Sequence, residues 1–84
     1  MTVELLVTKE SGSELAGKIH LVDEVITAEA VAEYKTLIAS ILGTPNLVEE
    51  GKRSVTLNKD PKAWFEALPT TYNGSHLRAQ LTEK

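Results

Sequence analysis

The chain has 84 residues with 12 acidic and 9 basic side chains, a net charge of −3, 42% hydrophobic residues and no cysteine. Zero cysteine excludes a disulfide framework, a thiolate metal site and a cysteine nucleophile, and the mild acidity argues against a general positive field for nucleic acid. A chain this short buries about 60–65% of its unfolded surface, so one modest core with stability of about 4–12 kcal/mol is expected.

Residues 2–8 read as a strand, with Val3, Leu5 and Val7 alternating with Thr2, Glu4, Leu6 and Thr8. Glu4 breaks the apolar run, there is no basic leader ahead of it, and no stretch reaches the roughly 20 apolar residues of a membrane span. A cytoplasmic location and no membrane partner are therefore expected. Glu10 to Glu14 has loop composition around Gly12. A second strand follows Gly17 over Lys18 to Val22, with Ile19 and Leu21 on one face, and a hairpin with the first strand is expected.

The three- and four-residue recurrence of Val31, Tyr34, Ile38 and Ile41 predicts a helix over about 28–42. Thr27 suits its N-cap, Glu29 and Glu33 its positive end, and Gly43 with Pro45 its stop. Residues 45–52 read as a loop and 53–57 as a third strand. Asp60-Pro61 is a helix-start signal and Pro69 a stop, giving a short helix over about 61–68. Asn73-Gly74 signals a turn, and Leu77, Ala79 and Leu81 alternate with polar residues as a last strand. The expected architecture is a single α+β domain over 1–84, in the order β-β-α-β-α-β. Its sheet is mostly antiparallel, with one long and one short helix on one face.

No catalytic constellation emerges. Gly51-Lys52-Arg53-Ser54 shares residues with the end of a phosphate-binding loop, but Asn46 stands where its first glycine belongs and a strand follows. Asp23-Glu24 and Glu49-Glu50 are adjacent carboxylates without a cleft to separate their roles. His20 reads as a half-exposed strand residue, and His20 and His76 alone cannot cage a metal. Ser75 and His76 point to opposite sides of a strand, which argues against an activated serine. The pattern Asn73-Gly74-Ser75 matches a glycosylation acceptor, and without a secretion signal it reads as a turn. No enzyme, cofactor or metal is expected.

What remains is an interaction surface. The short helix cannot turn both Trp64 and Phe65 to one core, because consecutive helical residues diverge by about 100°. Phe65 and Leu68 suit the core, with Ala67 beside them, leaving Trp64 towards the edge, either as an interface residue or as the cap on the open end of a small core. Trp64, Tyr72, Asn73, His76 and Arg78 then form a candidate surface for a protein partner, or for a second copy in a homo-oligomer. Strand edges, which must be covered or paired, are a second such feature. The competing expectation is a small-ligand or nucleic-acid site in which Lys52, Arg53, Lys59 and Arg78 grip phosphates and Trp64 or Tyr72 stacks on a base. Glu49, Glu50, Asp60 and Glu66 cancel that charge locally.

Overall fold

Alternating apolar residues in 2–9, 15–22, 25–30 and 75–83 build the sheet. The computed structural model describes residues 1–10, 14–43, 52–54 and 60–84, the backbone alone in 52–54. Its strands are β1 (Thr2–Lys9), β2 (Leu15–Val22), β3 (Val25–Ala30), β4 (Lys52–Ser54), β5 (Thr71–Tyr72) and β6 (Ser75–Glu83). Its helices are α1 (Lys35–Leu42), entered through one tight turn at Ala32–Tyr34, and α2 (Pro61–Ala67). The sheet order is β4-β3-β2-β1-β6-β5, with every neighbouring pair antiparallel. This is the expected α+β architecture.

Register explains which face is buried. Val3 pairs with Leu21 and Leu21 with Ile26; Leu5 pairs with Ile19 and Ile19 with Ala28. These residues share one side of the sheet and are buried, because side chains alternate along a strand. Helix α1 packs over β2 and β3, α2 packs over β1 and β6, and the two helices touch. Leu37, Ile38, Ile41 and Leu42 of α1 join Trp64 of α2 in one core cluster with the strand residues. No described element packs on the opposite face, which presents Glu4, Leu6, Thr8, Lys18, His20, Thr27 and Thr82 in half-buried positions.

The structure corrects the long helix. Residues 25–30 form β3 instead of leading into a helix, so Thr27 is a strand residue opposite His20 and not an N-cap. Ile26 and Ala28 fit a period of two as well as the helical stripe, and pairing with β2 decides between them. The hairpin that creates β3 turns on Asp23 and Glu24, with φ of 48° and 66°. Two positive φ values mark the turn class usually filled by Asn-Gly or Asp-Gly, so Asp-Glu gives little warning of it. Helix α1 begins at Lys35 without a side-chain cap.

Other local expectations are met. Gly43 ends α1 in the left-handed region at φ 76°. The Asp60 Oδ1 accepts from the Lys62 N–H at 3.1 Å with Pro61 at the first helical position. Asn73 and Gly74 turn β5 into β6 with φ of 50° and 78°. Of the expected third strand over 53–57, residues 53 and 54 fall in β4, and 55–57 lie outside the described residues.

Candidate interaction surface

The proposed partner surface does not form one patch. Trp64 is fully buried and Phe65 is 44% exposed, while Leu68 packs against the core as expected, so α2 turns Trp64 inward in place of Phe65 and the core reading of Trp64 holds. The physical reason is that Trp64 shares a helical face with half-buried Pro61 and Leu68, three and four residues away, and removes more apolar area from water than Phe65. Tyr72 is half-buried, its ring centroid 5.8 Å from that of Tyr34 in a tilted pair. Asn73 donates from Nδ2 to the Glu33 carbonyl oxygen at 2.8 Å, tying the β5–β6 turn to the entry of α1. His76 and Arg78 lie on the other side of the sheet from Leu77, and both are exposed. The His76 Nδ1 lies 4.0 Å from the Glu10 carboxylate beside an open cleft of about 530 Å³ lined by Glu10, Gly74, Ser75 and His76.

The competing phosphate set is spread wider. Lys52 and Arg53 stand on β4, opposite Thr27 and Ile26, and Lys59 lies outside the described residues. Arg78 stands on β6, four strands from β4, a separation of about 19 Å across the sheet.

The structure adds two features, the first unforeseen in the sequence and the second foreseen there only as strand edges in general. The first is a polar row across the open face. The Glu4 carboxylate pairs with the His20 Nε2 between β1 and β2, both side chains about one-third exposed. Thr82 flanks Glu4 and Thr27 flanks His20 in register. Shallow clefts lie on either side, about 300 Å³ bounded by Thr2, Glu4, His20, Thr82 and Lys84, and about 360 Å³ bounded by His20, Val22, Asp23, Val25 and Thr27. A carboxylate orients the imidazole here, and no hydroxyl among the described residues hydrogen-bonds to it. Groups of three or more metal-ligating side chains are absent among the described residues.

The second feature is the outer edge of β6. Lys84 N–H donates to the Thr2 oxygen at 2.8 Å and Glu10 N–H to the His76 oxygen at 2.9 Å. Antiparallel pairs alternate, so Arg78, Gln80 and Thr82 also bond toward β1, while the backbone groups of residues 77, 79, 81 and 83 face away. Leu77 confirms the parity: its N–H donates outward to the Thr70 oxygen at 2.9 Å. β5 covers only Ser75 and His76. From Ala79 to Glu83 no described strand pairs with the outward groups. This segment has no proline, and its pairing with β1 is free of bulges, so two of the devices that blunt an edge are missing from it.

No helix among the described residues is long and apolar enough to cross a membrane. Comparison with family models, curated proteins and solved structures finds no match to this chain.

Proposed function

We propose that the chain is a non-enzymatic protein-interaction module that works by accepting a β-strand at the outer edge of β6. One observation carries this reading: the outward backbone donors and acceptors of Ala79, Leu81 and Glu83 have no partner strand among the described residues. Such an edge is a template for strand addition, in which backbone hydrogen bonds supply affinity and flanking side chains supply selectivity. The flanking side chains here are half-buried Ala79 and Leu81 on the helix side and exposed Arg78 and Gln80 on the open side.

A photo-crosslinking residue at the exposed position Gln80 tests this in host extract. A cross-link to a polypeptide is expected, and Ala79→Pro should abolish it. Absence of any polypeptide cross-link, or the same cross-link in the proline variant, would remove the edge from consideration.

A further inference from the structure

Resting on that reading of the β6 edge, we infer that the strand it accepts is β6 of a second copy, joined antiparallel about a two-fold axis at Leu81. The edge that no described strand pairs with fixes the register. It runs from Ala79 to Glu83, and Thr70, hydrogen-bonded beside Leu77, blocks the lateral position next to Leu77. A copy sliding toward the β5 hairpin would collide with that segment. The longest stretch that matches itself without collision is therefore centred on Leu81, where an isologous interface places a residue against its own equivalent.

In this arrangement Ala79 faces Glu83 of the second copy, and Leu81 faces Leu81. Both are pairs of the kind that exchange two N–H···O bonds, since residues 79, 81 and 83 all point outward. Leu81 and Ala79 are only partly buried in one copy and pack against its core, so apposed Leu81 side chains extend both cores across the seam. On the open face Gln80 faces Thr82, an uncharged pair, across the central part of the strand. The two-fold axis runs perpendicular to the sheet, so both helix layers lie on the same side. Helix α2, which packs over β6, then sits beside its own copy, and its Phe65 is a large exposed apolar side chain in that layer. A core limited by chain length gains apolar contacts in this way.

One opposition in this register is unfavourable and gives the model a signature. Arg78 stands directly across from Lys84 of the second copy, both on the open face and both exposed. Like charges at opposed strand positions weaken pairing. Association should therefore strengthen as salt screens them, contrary to what an interface held by ion pairs would show.

Sedimentation equilibrium of the full chain tests the proposal. The wild type is expected to dimerise, with a dissociation constant that falls between low and high salt. Arg78→Glu, which sets opposite charges across the seam at both symmetry-related positions, should tighten the dimer about threefold or more. Ala79→Pro should weaken it about tenfold or more, because each copy loses an outward donor. That substitution removes no hydrogen bond to β1, and an outward-facing N–H on an edge strand is where proline is tolerated. An unchanged circular dichroism spectrum keeps its effect separate from unfolding. If Ala79→Pro unfolds the chain, Arg78→Glu and the salt response decide alone. A chain that stays monomeric at millimolar concentration overturns the second copy, as does a dimer indifferent to Arg78→Glu and salt. A monomer that still cross-links from position 80 to another polypeptide leaves the strand-accepting edge standing and removes only the self-pairing. Failure of both removes the two together.

Discussion

Gly17 of β2 lies directly beneath Ile38 of α1: a Cβ built on Gly17 would come within 2.6 Å of Ile38 Cδ1 and 2.8 Å of its Cγ1. A glycine inside a strand weakens it locally, and here the missing side chain lets the helix settle against the sheet. Gly17→Ala forces Ile38 out of its seat in a core where it is fully buried. The expected loss is about 1–3 kcal/mol, read from the urea midpoint. Truncating the clashing side chain, Ile38→Val, in the same background should return part of that loss. Additive effects of the two changes would show that the close approach does not matter.

The Tyr34 ring is fully buried, and its hydroxyl oxygen is buried with no hydrogen-bond partner among the described residues. An orphaned buried hydroxyl costs about 1–3 kcal/mol relative to a satisfied one. Tyr34→Phe keeps the ring against Tyr72 and beneath Lys9 while removing that cost. The variant should be as stable as the wild type or more stable, by about 1 kcal/mol in chemical denaturation. A loss of more than about 1 kcal/mol would mean that the hydroxyl is satisfied in solution.

Much of this fold can be read from the chain because local chemistry agrees with it. Asp60-Pro61 and Asn73-Gly74 place a helix start and a hairpin turn where the structure has them. The third strand is hidden because Ile26 and Ala28 satisfy two periods at once, and its turn rests on Asp23 and on Glu24, a residue type that rarely adopts positive φ. The interaction edge is less legible still. No property of Ala79, Leu81 or Glu83 in the sequence says which way their N–H groups point; that parity comes from the pairing of β6 with β1. The Glu4–His20 pair depends in the same way on a register between residues 16 positions apart.

Lys9 lies 3.3 Å from the Glu14 carboxylate, 3.6 Å from that of Glu33, and 5.7 Å from the centroid of the Tyr34 ring. The hydrogen bond to Glu14, with added help from Tyr34 and Glu33, holds its ammonium above the ordinary lysine value of 10.5. A group whose folded value is raised stabilises the fold fully below its unfolded value, and that contribution is lost as pH rises through the folded one. The stability gap between wild type and Lys9→Met should thus be constant from pH 7 to 9 and shrink above 10.5. A gap that widens with alkalinity would reverse the sign of this linkage.

Glu4 and His20 face each other from β1 and β2 with each side chain about one-third exposed, a setting in which solvent screens much of the attraction. A double-mutant cycle with Glu4→Gln and His20→Gln should give a coupling of about 0.2–1 kcal/mol that weakens in high salt. Thr82→Val, beside Glu4 in register, alters the cleft wall without removing either partner and should leave that coupling in place. Zero coupling would show that the two side chains do not hold each other in solution.

Trp64 and Phe65 are neighbours in sequence with opposite environments, the first fully buried and the second 44% exposed. Trp64 belongs to the core cluster that spans both helices and the sheet, so Trp64→Ala leaves a cavity that its surroundings fill only in part. The expected cost is about 3–5 kcal/mol, against a total of about 4–12 kcal/mol for a chain of this length. The variant should therefore melt far below the wild type or fail to fold. Phe65→Ser removes exposed apolar surface and should change stability by about 0.5 kcal/mol or less in the monomer. If the dimer forms as inferred, that same substitution weakens association where α2 meets its copy. Comparing denaturation of both variants with their sedimentation separates the two roles: Trp64 acts through the fold alone, and Phe65 through assembly. A stable Trp64→Ala variant would contradict the facing of α2 on which this division rests.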